Sequence, residues 1–315
     1  MTVQKSSYIS KIGLGIIKFF RRLFLNTPAN NWKVTGVIRE WIYRNSVKSE
    51  EIEIDYMGVK IAAPSHDLGL VPGLVGGYYE KYQLEVFKKL SQQASSIIDV
   101  GSNIGLYTVI GAKNMKKGGT IIAFEPIADN INMLKKNIKL NKLVSKIRIE
   151  QSAVGDESKK LKLFVSTKSV GNHSASKENA GGASTEVEVN QTSLDDYVKN
   201  KKISKIDLIK IDVEGFDGYV LKGAKKTITK YQPAMVIESI PKLIKNCDFK
   251  YEEFSKLLFN FYKKCYSIDE VSGKITPIKK TTIKKFSKDI SNTNLVLVSK
   301  PSHIKLIEEL VIKGL

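Results

Sequence analysis

Residues 97–107 read Ile97-Ile98-Asp99-Val100-Gly101-Ser102-Asn103-Ile104-Gly105-Leu106-Tyr107. An apolar run ends in an acid, and a loop with glycines at 101 and 105 then opens a helical pattern. A strand-to-helix turn of this kind points backbone N–H groups and the positive end of a helix at a small ligand. A second edge follows at Ile121-Ile122-Ala123-Phe124-Glu125-Pro126. A carboxylate there accepts hydrogen bonds from both hydroxyls of a ribose. The two edges together predict a nucleoside-bearing cofactor on a doubly wound sheet.

Strand and helix patterns alternate outward from this turn. Apolar runs at 96–100, 120–125, 146–151, 206–211, 234–238, 264–269 and 293–299 read as strands. Amphipathic spacing at 104–115, 128–141, 217–230, 250–262 and 301–313 reads as helices. Such alternation favours a parallel sheet covered on both faces. No helical pattern separates 264–269 from 293–299, so these two are expected to pair as an antiparallel end of the sheet. The expected fold is α/β: a Rossmann-like, doubly wound, mostly parallel sheet of seven strands with an antiparallel terminal hairpin. Residues 160–195 break the rhythm. Runs at 161–166 and 185–189 read as strands. The Gly-, Ser-, Ala- and Asn-rich stretch 171–183 between them reads as a mobile loop that walls the substrate.

The chain has 315 residues and a formal net charge of +19, with 51 Lys and Arg against 32 Asp and Glu. That length allows one large α/β domain plus an extension. The expected division is an extension over 1–77, the cofactor-binding domain over 78–300 and a C-terminal helix over 301–315. The positive excess fits a Lys-rich solvated exterior or an anionic surface nearby. The lysines are spread without interleaved stacking aromatics, so no nucleic-acid partner is expected. Cys247 and Cys265 have no histidine near them in sequence and read as reduced thiols. His66, His173 and His303 are scattered, so no histidine-pair metal site is expected.

Residues 8–25 place Ile9, Ile12, Ile16, Phe20 and Leu23 on one helical face and Lys11, Lys18 and Arg22 on another. The run is too short and too interrupted to span a bilayer. No small-residue cleavage site follows it, so a secretory signal is not expected. Such a helix packs on the main domain or lies at an anionic membrane surface. The expected location is cytoplasmic, with peripheral contact at the inner membrane surface as the second of these uses. Beyond it, 34–43 has helical spacing and 51–62 alternates as a hairpin around Met57-Gly58. Gly73, Gly76 and Gly77 mark a loop, and 79–90 reads as a helix.

The dinucleotide fingerprint requires glycine at 101, 103 and 106, but Asn103 and Leu106 stand at the last two. The spacing instead resembles motif I of class I S-adenosylmethionine-dependent methyltransferases. Glu125 resembles their ribose acid, with Pro126 and Ile127 placed to flank the adenine. A second constellation is Ile206-Asp207-Leu208-Ile209-Lys210-Ile211-Asp212-Val213-Glu214-Gly215. A strand this apolar carries acids where it emerges at a site. Alternation places Lys210 and Asp212 on one side, and Val213-Glu214-Gly215 is the turn into the next helix. The alternative use of Asp212 or Glu214 is as a helix cap.

Together these pieces resemble the FkbM family of methyltransferases. The resemblance is carried by IDVGSNIGLYT, AFEPIADNINMLKKNIKLN, the Ala153-Val154-Gly155 turn, LIKIDVEGFDGYVLKGA and the late SNTNLVLVS strand, between about Tyr78 and Lys300. It implies a class I fold and transfer of a methyl group from S-adenosyl-L-methionine, commonly to a hydroxyl oxygen of a sugar, glycan or small metabolite. It further implies that Asp99, Gly101, Asn103 and Gly105 hold the methionine part, that Glu125 holds the ribose, and that Ser152 and Ala153 line the adenine. Asp212 and Glu214 would face the methyl and its acceptor. One departure is Asp217, where the family usually has Glu.

A sugar hydroxyl is a poor nucleophile, so a base or a metal is wanted. Asp212, Glu214 and Glu238 are expected at one sheet edge, where one of them serves as the base. The same carboxylates offer oxygen ligands to a divalent metal. With no additional ligand evident in the sequence, the metal-free base is preferred. Lys210 beside Asp212 keeps the acid ionised, and His173 in the 171–183 loop is a further base candidate. Two other classes compete. A nucleic-acid methyltransferase would share the cofactor half, but IDVEG stands where an N-P-P-Y or D-P-P-Y ending is expected. A non-catalytic, membrane-associated binding module would not need the acids at 99, 125, 212 and 214.

Overall fold

The computed structural model describes residues 50–167, 169–182, 184–280 and 293–315. The stretches 8–25 and 34–43 singled out above lie outside the described residues. The chain separates into two compact units, Met1–Tyr79 and Glu80–Leu315.

In the first unit, β1 (Glu51–Tyr56) and β2 (Val59–Pro64) form the expected hairpin, in antiparallel register from Glu51↔Pro64 to Tyr56↔Val59. Met57 and Gly58 turn it with φ of 49° and 84°. Two consecutive left-handed residues match the twist of paired strands. Ile52, Ile54 and Tyr56 alternate inward and are buried. The glycine cluster is not a plain loop: Gly73 and Gly76 lie inside a short helix, α1 (Val71–Gly76), which Gly77 ends at φ 73°. A Cβ on Gly76 would overlap the Tyr78 ring, and one on Gly73 would press on Tyr79. These two glycines therefore make room for aromatic packing.

The second unit opens with α2 (Lys81–Ser91), β3 (Ser96–Val100), α3 (Leu106–Asn114), β4 (Thr120–Phe124), α4 (Ala128–Leu140) and β5 (Ile147–Glu150). An inserted sheet follows, of β6 (Ala153–Gly155), β7 (Lys159–Ser166) and β8 (Ser184–Ser193), in the order β6-β8-β7. After α5 (Leu194–Asn200) come β9 (Leu208–Ile211), α6 (Asp217–Lys222), α7 (Lys225–Tyr231), β10 (Ala234–Ser239), α8 (Pro241–Asn246) and α9 (Tyr251–Phe261). The unit closes with β11 (Lys264–Ile268), β12 (Ile275–Ile278), β13 (Thr293–Val298) and α10 (Pro301–Lys313).

The main sheet runs β12-β11-β13-β10-β9-β3-β4-β5. Pairs from β10 through β5 are parallel, and β13 pairs antiparallel with both β10 and β11. This is the expected α/β doubly wound, mostly parallel sheet with an antiparallel end. It has eight strands, not seven: Ile275–Ile278 adds to β11 as an outer hairpin. That run is short and carries Pro277, which an edge strand tolerates, and its sequence signal is correspondingly weak.

The expected helix over 217–230 is two helices. A Cβ on Gly223 would overlap the Gly155 carbonyl oxygen, so the chain passes against the inserted sheet there. The new N-terminus of α7 is capped at a distance. The Asp195 carboxylate accepts from Thr227 N at 2.7 Å and Lys226 N at 3.0 Å. A pattern of apolar spacing carries no trace of a cap donated from another helix.

Alternation sorts the sheet into two faces. Ile98, Val100, Ile209, Ile211, Met235 and Ile237 join the core with Val220, Ile228, Phe254 and Leu258. Asp99 and Lys210 are register partners, and point to the other face, toward α3. The chain goes from β3 outward through β4 and β5, then returns to build β9 and β10 on the opposite side. The switch point between β3 and β9 is where open α/β sheets bind ligands. Here it brings the Gly101 loop against the Asp212 turn.

Candidate active site

Asp99 is fully buried at the end of β3, and its Oδ2 accepts from Thr108 Oγ1 at 2.5 Å. Its Oδ1 is buried with no hydrogen-bond partner. Burial raises this carboxyl above its usual range, against the pull of Lys210. Gly101 has φ 75°, and a Cβ on it would overlap the Asp212 carbonyl oxygen. Only glycine allows this loop so close to β9. Asn103 also has positive φ, 51°, and its side-chain Oδ1 is buried without a partner. Gly105, at φ 93°, caps α3.

Glu125 is buried between this loop and the start of α4. Its Oε2 accepts from Asn103 N at 2.8 Å and its Oε1 from Ile127 N at 2.9 Å. Burial lifts its carboxyl to about 7, with the backbone donors and Asn130 opposing. With Asn130 as a third donor, the carboxylate keeps one acceptor position for a ligand hydroxyl. A cleft of about 540 Å³ lies beside it, lined among others by Pro126, Ile127, Asp129, Gln151, Val187 and Asn190. Gln151 precedes Ser152, whose N–H donates to Glu150 O at 2.9 Å, and Ala153, which starts β6.

Across the switch point, Lys210 Nζ donates to Asp212 Oδ2 at 3.1 Å and to Gly101 O at 3.4 Å. The ammonium sits 4.7 Å from the centroid of the Tyr107 ring. Burial pulls this lysine down, but Asp212, Asp99 and Glu80 outweigh it and hold it protonated above its ordinary range. Tyr107 in turn donates to Glu80 Oε2 at 2.8 Å. Burial and Asp212 raise Glu80 to about 7. Glu80 is not among the sequence-derived candidates, because no local pattern links the residue before α2 to β9.

Glu214, Asp217 and Glu238 complete the acid group. Burial, then Asp212, raise Asp217 to about 7 and push Glu214 and Glu238 well up. Asp217 Oδ2 accepts from Gly215 N at 3.1 Å, while its Oδ1 and Glu238 Oε2 are buried without partners. The structure thus brings Lys210, Asp212, Glu214 and Glu238 together and adds Glu80 and Asp217. Neither Asp212 nor Glu214 caps α6. Among the described residues no group of three or more His, Cys, Asp or Glu converges to hold a metal ion.

The stretch read as a mobile loop is tied down. Ser174, Ser176, Asn179 and Ala180 are buried. Ser174 and Asn179 bond to the Glu214 carbonyl oxygen at 2.8 and 2.9 Å, and Asn130 Nδ2 bonds to Val170 O at 3.1 Å. Small polar residues here fill contacts between elements, a use their composition shares with flexible loops. His173 Nδ1 accepts from Ser166 N at 3.1 Å, which leaves the neutral ring's proton on Nε2.

The Methyltransferase FkbM domain family matches residues 99–266, just over half of the chain. The chain belongs to the FkbM methyltransferase family. Methyltransferase 1 of Beauveria bassiana (strain ARSEF 2860) is 28% identical over 146 residues, 41% of this chain and 58% of that protein. Methyltransferase sdnD of Sordaria araneosa is 26% identical over 170 residues, 45% of this chain and 65% of that one. The match thus spans less than two thirds of either relative. A solved methyltransferase FkbM from Methylobacillus flagellatus KT superposes with a TM-score of 0.40 at 14% identity, over 75% of this chain and 55% of that one. The FkbM match covers both the Gly101 loop and the Asp212 turn. No helix among the described residues is long and apolar enough to cross a membrane.

Proposed function

We propose that this FkbM-family chain is an S-adenosyl-L-methionine-dependent methyltransferase that methylates a hydroxyl oxygen of a sugar, glycan or small metabolite. The observation that carries the reading is the switch point itself: a cofactor-type loop and a buried acid group meet on adjacent strands. The residues fit the cofactor. Asp99 Oδ1 and Asn103 Oδ1 are buried acceptors lacking a donor, and the methionine part carries an ammonium. Glu125 keeps an acceptor position for a ribose hydroxyl beside its three protein donors, and the Pro126–Ile127 side of the cleft is apolar enough for an adenine. When bound, S-adenosyl-L-methionine supplies a methyl carbon already activated by a sulfonium.

The protein's part is to orient an acceptor oxygen, exclude water and take a proton. Asp212, held by Lys210 at 3.1 Å, is the acid placed to accept that proton. The buried carboxyls around it, all raised above their ordinary range, offer partners to further hydroxyls of the acceptor. That combination suits a polyol better than an isolated amine. The relatives' names specify methyltransferases without specifying this chain's acceptor.

The test is methyl-labelled S-adenosyl-L-methionine incubated with the chain and fractionated cell glycans, lipids and small metabolites. Alkali-stable label in a hydroxylated fraction supports the reading. Label entering only nucleic acid, or calorimetry showing tight NAD binding and no S-adenosyl-L-methionine binding, overturns it.

A further inference from the structure

We propose that Asn179, assisted by Ser174, is a positioning residue that clamps the Glu214 backbone carbonyl and so keeps the Glu214 carboxyl in the acid group. The functional part of this inference rests on the methyl-transfer reading.

Glu214 has φ 52° and Gly215 φ 96°. The first is a left-handed conformation that a side chain of this size adopts only at a cost. It persists where the surroundings over-determine it. Ser174 Oγ donates to the Glu214 carbonyl oxygen at 2.8 Å and Asn179 Nδ2 at 2.9 Å. These two donors fill both lone pairs of the carbonyl. The Cys247 thiol lies alongside at 3.7 Å.

Asn179 is fully committed. The same Nδ2 donates to Leu243 O at 3.0 Å, and its Oδ1 accepts from Asn246 Nδ2 at 2.7 Å. It therefore fixes the turn after β9 to α8. The turn has little room elsewhere, because a Cβ on Gly215 would overlap the Leu243 carbonyl oxygen. At its other end the same segment is held by Asn130, through Val170 O, and Asn130 also bonds the Glu125 carboxyl. One segment thus reaches from the cofactor acid to Glu214. Without these two donors only the longer Cys247 thiol contact holds the carbonyl, the left-handed Glu214 backbone relaxes, and the Glu214 carboxyl shifts away from its neighbours Asp212 and Asp217.

Asn179→Asp tests this with an isosteric change. It keeps the acceptor for Asn246 but removes the bonds donated to Glu214 O, Leu243 O and the Cys247 sulfur, and sets a negative charge against two carbonyl oxygens. Ser174→Ala removes the other donor alone, and Ser174→Thr retains it. The readout is the titration of the Glu214 carboxyl by carbon-13 NMR, assigned by its loss in Glu214→Gln. Calorimetry with S-adenosyl-L-methionine and labelling of the extract fraction that the wild type methylates accompany it. In Asn179→Asp departure from the acid group is expected to outweigh the upward push of the new carboxylate, so the Glu214 carboxyl titrates lower, nearer the ordinary glutamate value, and Ser174→Ala, which adds no charge, shows the direction free of that push. Cofactor affinity stays unchanged, and labelling falls about tenfold or more with a displaced pH profile. Ser174→Ala shows a smaller effect in the same direction, and Ser174→Thr restores the wild-type titration. If Asn179→Asp does not fold, the Ser174 pair decides by the same titration. An unchanged or raised Glu214 titration in folded Ser174→Ala, where no charge is added, overturns the clamp. A shifted titration in a protein whose wild type labels no fraction supports the clamp and removes the methyl-transfer reading instead.

Discussion

Under the proposed cofactor reading, Glu125 sets the pH dependence of S-adenosyl-L-methionine binding. Its carboxyl is held at about 7 by burial, and in that reading the ionised form is the one that accepts from the ribose. Protonation therefore competes with binding as pH falls. Affinity for S-adenosyl-L-methionine is expected to drop about tenfold from pH 8 to pH 6 in calorimetry, since about nine-tenths of such a group is protonated one unit below its midpoint. Glu125→Gln should remove that slope, and a wild type with a flat profile would contradict the assignment. Glu125→Ala should weaken binding by roughly 1.5–3 kcal/mol, the scale of hydrogen bonds to a charged group. Asp212→Asn separates binding from chemistry. It should leave cofactor affinity within a few-fold while turnover falls by about 100-fold. Unchanged turnover would move the base to Glu214, Glu238 or His173. Asp99, Glu125 and Asp212 were legible because an acid ending an apolar strand contradicts the strand's own burial. Glu80 and Asp217 were not: one precedes a helix and the other lies in a helix's first turn, both ordinary places for an acid.

Elements meet at the site through close backbone approach, and this makes the Gly101 loop brittle. Gly101→Ala must relieve both a φ of 75° and an overlap with the Asp212 carbonyl oxygen. A loss of roughly 1–3 kcal/mol in denaturant unfolding is expected, the range for a residue forced into a strained conformation. Because Asp212 must move to make room, cofactor binding should weaken as well. Wild-type stability and affinity in this variant would show that the loop has slack. The strands and most helices of the main sheet were readable from period alone, since the apolar alternation is set by burial on two faces. The division at Gly223 and the anchoring of 171–182 were not. Both depend on which distant carbonyl or carboxylate comes alongside, here Gly155 and Glu214.

At the scale of the whole molecule, the chain carries +19 net charge yet concentrates carboxyls around one buried lysine. Glu80 and Asp217 are raised to about 7, and Glu214 and Glu238 are raised well above their ordinary range. The unfolded chain ionises these groups near pH 4, whereas the folded chain resists. Their contribution to stability is therefore greatest on the acid side and is lost as pH rises from about 4 through 7. The cofactor-free protein should melt at a lower temperature at pH 7.5 than at pH 5.5, once the change in overall charge is controlled by the Glu238→Gln variant. That variant should show a shallower decline. Equal slopes in the two proteins would place Glu238 outside the coupled group.

The sequence by itself determined the sheet, the cofactor-type loop and the edge at which the site forms. Each is written in short-range spacing: period-two burial, glycines where φ must be positive, and acids where a strand emerges. The tertiary structure alone decided that Glu80 and Asp217 join the acids at that edge and how the Glu214 turn is held. Those outcomes rest on the pairing of β3 with β9 and on donors from Ser174 and Asn179. Such contacts are fixed only when segments far apart in the chain pack together, so no local pattern can record them.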